Sequence, residues 1–76
     1  MSMMKRGDFV QTLFDTGARG YDTLYGQVTK AGPATYTVMW ESGLSNRIQQ
    51  GYREVQIAKD MQAAESAMYK VATFPR

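Results

Sequence analysis

The pattern of apolar and polar positions changes period once along the chain, near Asp60. Before that point apolar residues alternate with polar ones in short runs bounded by Gly, Pro and Asp; after it they recur at helical spacing. The clearest run is Thr35 to Trp40, in which Tyr36, Val38 and Trp40 share one face and Thr35, Thr37 and Met39 the other, the period of a half-buried strand. Runs from Phe9 to Leu13, Tyr25 to Ala31, Leu44 to Gln49 and Val55 to Ala58 read as further strands, the last with Val55 and Ile57 facing inward. Phe14 to Leu24 contains Asp15, Gly17, Gly20 and Asp22 and reads as a long loop, while Gly32-Pro33, Glu41-Ser42-Gly43 and the segment around Gly51 read as turns. Met61, Ala64, Met68 and Val71 fall on one face of a helix predicted at about 60–71, with Asp60 as its N-cap.

These elements predict an all-β domain over residues 7–58, preceded by a flexible start (1–6) and followed by a C-terminal helix (59–72) and a short tail (73–76). Five short strands favour a small closed barrel, because closure removes the exposed edges that an open sheet must protect. The helix is expected to pack on the barrel or on a second copy of the chain.

Composition narrows the chemistry. The 76 residues form one domain with a small core and no cysteine or histidine. Disulfides, Cys/His zinc sites and catalytic groups built on a Cys nucleophile or a His base are therefore excluded. No metal or cofactor is expected. The absence of cysteine, of an apolar leader and of a membrane-length apolar run predicts a soluble chain of cytoplasmic type. Nine basic residues against seven acidic ones leave a net charge of +2, spread along the chain, which permits a nucleic-acid partner without demanding one.

Gly7-Asp8-Phe9-Val10, Gly26-Gln27-Val28 and Tyr36-Thr37-Val38-Met39-Trp40-Glu41-Ser42-Gly43 resemble the SH3-like barrel group that includes Tudor and KOW-type modules. Trp40-Glu41-Ser42-Gly43 followed by Ser45-Asn46-Arg47-Ile48 looks like small proteins of phages and bacterial genomes. The resemblance covers about residues 7–58 and implies a five-stranded SH3-like barrel. A narrower similarity, at Gly7-Asp8, Val10, Gly26-Gln27-Val28 and Val55-Gln56-Ile57, is to the type II dihydrofolate reductases, barrels that act as tetramers around a pore. The tyrosine that ends the family's pore strand is replaced here by Ala58, and its paired lysines by Gln11 and Thr12.

Arg19, Tyr21, Tyr25, Arg47, Tyr52 and Arg53 are the candidate contact residues, since loop aromatics and arginines can stack on bases and pair with phosphates. The alternative is a set of ordinary solvated tyrosines and scattered arginines. Trp40 reads as core from its alternation, or else as a stacking platform. Gly17-Ala18-Arg19-Gly20 lacks the lysine and helix of a phosphate loop, and Asp15, Asp22, Glu41 and Glu54 show no spacing for acid–base work. Arg6-Gly7-Asp8 reads as a strand entry. Met61, Ala64, Met68 and Val71 are a packing face, for the chain's own barrel or for oligomerisation. The expected function is a non-catalytic binding module of phage type that associates with nucleic acid. A protein-interaction or self-assembling module is the alternative, and an oligomeric reductase the remoter one.

Overall fold

A computed structural model describes residues 3–72. The strands are β1 (Phe9–Gly17), β2 (Gly20–Ala31), β3 (Thr35–Trp40), β4 (Ser45–Gln49) and β5 (Val55–Ile57), followed by the helix α1 (Met61–Ala72). They form one antiparallel sheet in the order β4-β3-β2-β1-β5. The ladder runs open from β4 to β5: no backbone pairing joins its two ends among the described residues. The expected flexible start and tail fall partly on residues 1–2 and 73–76, which lie outside the described residues.

The long loop expected over Phe14–Leu24 is instead the outer half of a β-hairpin. Pairing continues through Leu13↔Thr23, Phe14↔Asp22 and Asp15↔Tyr21 to Gly17↔Gly20, leaving Ala18-Arg19 as the turn. Gly17 (φ 81°) and Gly20 (φ 89°) supply left-handed backbone at the tip, which L side chains disfavour. A bulge at Thr16 is held by the Gly17 N–H donating to Asp15 Oδ1 (2.7 Å) and by the Thr16 hydroxyl donating to the Gly20 carbonyl (2.8 Å). The residues that suggested a loop are therefore the turn chemistry of one hairpin. Apart from Leu24, which packs against the core, its arms project past the core and carry no apolar alternation to mark them as strands.

β3 alternates as expected: Tyr36, Val38 and Trp40 are buried and join Val10, Val28 and Val55 in one core, against which Met4, Leu24 and Ile48 pack. Ile57 shares the inward face of Val55 and of its cross-strand partner Val10, yet it stays 41% exposed. It ends a three-residue edge strand whose only neighbour is β1, so nothing covers its outer side. Leu44 lies before β4, in the turn closed by Gly43 N–H to Trp40 O and Trp40 N–H to Leu44 O, both 2.8 Å. At the N-terminal end, Met4 exchanges backbone hydrogen bonds with the Gln50 side chain (2.9 and 3.0 Å), and the same amide donates to Gly32 O at 3.1 Å. One glutamine thus fastens residue 4 and the β2–β3 turn to the end of β4.

Asp60 caps α1 by accepting from the Ala63 N–H (3.0 Å). The helix packs on β1 and β2. Ala64, Met68 and Val71 are buried but stand outside the strand core, and Met68 shares a cleft with Phe9 and Gln27. Phe9 and Gln27 are cross-strand partners adjacent to Val10 and Val28, so strand alternation places them on the opposite face of the sheet. The molecule is layered: helix, sheet, and the core enclosed by the sheet's own curl. Met61, the first member of the predicted stripe, stays exposed at the start of the helix.

The Tyr36 hydroxyl is buried with no hydrogen-bond partner among the described residues, and burial pushes its pKa above the usual tyrosine value. Tyr36→Phe should therefore leave stability unchanged or raise it by up to about 1 kcal/mol, since it removes a desolvated hydroxyl and little volume. The sign with pH follows from the raised pKa. Folded Tyr36 keeps its proton where the unfolded chain loses it, so its contribution is intact below pH ~10 and is lost as pH rises beyond that. Denaturant titrations at neutral pH and above pH ~10 should show a shallower alkaline loss for Tyr36→Phe than for the wild type.

Candidate functional site

A groove of about 420 Å³ opens where the sheet fails to close. Leu44, Asn46 and Ile48 line it from the β4 side, Tyr52, Glu54 and Val55 from the β4–β5 turn and β5, and Thr12, Leu13 and Leu24 from β1 and β2. Trp40 of β3 also lines it, and its indole N–H donates to Asn46 Oδ1 at 3.0 Å, which fixes the ring. Leu44 (69% exposed), Leu13 (59%) and Tyr52 (53%) present apolar surface to solvent around this groove. Glu54 is the one charged residue in its lining, and the Thr12 hydroxyl holds the Glu54 carbonyl at 2.8 Å. Unpaired edges and exposed apolar side chains meet here, and this combination marks interaction surfaces.

The predicted aromatic and arginine residues do not assemble into one patch. Arg19 and Tyr21 sit at and beside the tip of the β1–β2 hairpin, where Arg19 is paired with Asp22 at 2.6 Å, the one ion pair among the described residues. Tyr25 is half-buried on β2, its backbone N–H donating to the Glu41 carboxylate at 2.9 Å while the Glu41 N–H returns a bond to Tyr25 O. Glu41 is thus engaged with backbone. Arg47 lines a cleft with Lys30, whereas Arg53 lines a different one with Gln11, Glu54 and Lys59. Tyr52 belongs to the apolar groove, and Trp40 is a core residue, 5% exposed, that also lines the groove.

Of the reductase-like string, Val55 is buried, Gln56 and Ile57 are exposed on the edge strand, and Ala58 is buried with its N–H donating to Phe9 O at 2.9 Å. Among the described residues no three acidic side chains converge as a metal site, and no helix is long and apolar enough to cross a membrane.

Sequence reasoning missed Leu13, Leu24, Leu44 and Ile48 as groove residues. Leu44 carried a signal, a large aliphatic residue directly after a Glu-Ser-Gly turn; the others have none, because only strand order brings them to one opening. No family model matches this chain, and neither a curated protein nor a solved structure matches it.

Proposed function

We propose that this chain is a small non-catalytic protein-interaction module whose apolar groove takes an extended segment of a partner protein. The reading rests on one observation: Leu13, Leu44 and Tyr52 are exposed around an opening whose wall includes the fixed Trp40 ring and whose margins are the two ends of the strand order. An extended segment can extend the sheet at the β4 edge while every second side chain enters the groove, the usual mode of strand addition. We take the four-strand meander β1–β4, with β5 returning to pair with β1 and both ends of the strand order curling toward one apolar groove, as an SH3-like barrel that is not fully closed. The aromatic–arginine surface first expected for nucleic acid carries less weight, since its members are dispersed over separate clefts and Arg19 is already paired.

Trp40 is the chain's one tryptophan and reports directly on groove occupancy. Selection from a random peptide library is expected to return sequences with alternating apolar residues that shift Trp40 emission on binding. Leu44→Asp should weaken such peptides by about tenfold or more, as loss of a buried anchor in an interface does. Selected peptides that bind Leu44→Asp as well as the wild type, without changing Trp40 emission, would overturn the reading.

A further inference from the structure

The sheet carries a second cleft, of about 270 Å³, lined by Lys30, Ala31, Gly32, Thr35, Tyr36, Thr37 and Arg47. Pairing places Lys30 opposite Thr37 and Thr37 opposite Arg47, so the three form one row across β2, β3 and β4. Thr37 alternates with the buried Tyr36 and Val38, which puts this row on the face away from the strand core. Lys30 and Arg47 are exposed, neither forms an ion pair among the described residues, and no acidic residue lines the cleft. Arg19 and Arg53 differ: Arg19 is neutralised by Asp22, and Arg53 shares its cleft with Glu54. The floor is held still. The Gly32 N–H donates to Thr35 O at 2.8 Å, Gln50 donates to Gly32 O at 3.1 Å, and the Thr29 hydroxyl donates to Thr37 O at 3.4 Å.

We infer that the Lys30–Thr37–Arg47 row binds the phosphate backbone of a single-stranded nucleic acid. The two cations stand two strand spacings apart, roughly 10 Å between backbones. A strand of successive phosphates offers a charge to each end of such a row, whereas a lone phosphate must draw both long side chains inward over Thr37. The Thr37 and Thr35 side chains lie in the same cleft and offer hydroxyls to phosphate oxygens. Its one aromatic residue, Tyr36, is 2% exposed, so no ring is free to stack on a base and the binding is indifferent to sequence. This site is independent of the apolar groove and stands or falls separately from it.

The test is anisotropy of a fluorescein-labelled oligothymidylate titrated with the intact protein at low and near-physiological salt. Lys30→Gln and Arg47→Gln should each weaken binding about three- to fivefold. Each should also reduce the slope of log K against log salt by about 0.7, one phosphate contact on a single strand. Arg53→Gln, with its side chain in another cleft, should change neither. Circular dichroism and Trp40 emission check that the variants, all at exposed positions, keep the wild-type fold. Several outcomes would overturn the inference: no salt-dependent binding at low salt, an equal loss in Arg53→Gln, or full competition by millimolar inorganic phosphate, which indicates a single-anion site. A phosphoserine peptide that binds more tightly than the oligonucleotide would overturn it as well.

Discussion

Replacing Gly26 by alanine is expected to destabilise the protein by about 2–3 kcal/mol, the upper part of the range for overpacking a core. Gly26 is buried in β2, paired with Val10 on one side and Trp40 on the other. A methyl group there would stand 2.6 Å from Val38 Cγ1, 2.7 Å from Trp40 Cε3 and 3.0 Å from the Met39 carbonyl. Val38 is fully buried and the Trp40 ring is tied to Asn46, so neither can retreat without moving β3. The Val38 and Trp40 side chains of β3 lie over Gly26 because no Cβ stands there, the kind of close approach that marks a glycine inside a strand. For a domain of this size each kcal/mol lowers Tm by about 4–8 °C. Thermal unfolding followed by circular dichroism should thus show a fall of roughly 10–20 °C. A fall of only a degree or two would mean that Trp40 and Val38 are less confined than the packing indicates.

Met68→Glu is expected to cost at least about 3 kcal/mol, through the lost methionine contacts and an unpaired charge at a buried position. Met61→Glu, on the same helical stripe, should change stability by less than about 0.5 kcal/mol. A carboxylate near the helix N-terminus also meets the favourable end of the helix dipole. The contrast comes from placement alone: Met68 is 1% exposed, between α1 and the Phe9–Gln27 pair, while Met61 is 46% exposed. Urea denaturation followed by both Trp40 fluorescence and far-ultraviolet ellipticity reads the two effects. Coincident transitions would show helix and sheet unfolding as one unit. Equal effects of the two substitutions would show that the helix does not dock on β1 and β2. The same contrast bears on self-assembly, because Ala64, Met68 and Val71 are covered within one chain and leave Met61 as the stripe's exposed member.

The candidate groove was only partly legible in the residues. Trp40, the one tryptophan, and Tyr52, one of three candidate tyrosines, both line it. Leu24 lay inside the segment read as a loop, where glycine and aspartate masked a hairpin whose two arms expose both faces in part, and Leu13 closed the strand read just before it. The arginines drew attention as a group because their chemistry is shared. The sheet separates them, and it pairs Arg47 with Lys30 through Thr37, a row that no spacing along the chain reveals.

Neighbouring residues along the chain already set what is local. Alternation at Tyr36, Val38 and Trp40 fixed which face of β3 is buried, Gly32-Pro33 and Glu41-Ser42-Gly43 set the turns, and the change of period after Asp60 set the helix. These follow from side-chain direction over a few residues, which a strand or helix imposes wherever it forms. The tertiary structure alone decided which strand ends meet, that β4 and β5 stay unpaired, that Gly26 must be bare, and that α1 covers the outer face of β1 and β2. These depend on register and on contacts between residues distant in the chain, which a one-residue shift in pairing would reverse while leaving every local pattern unchanged.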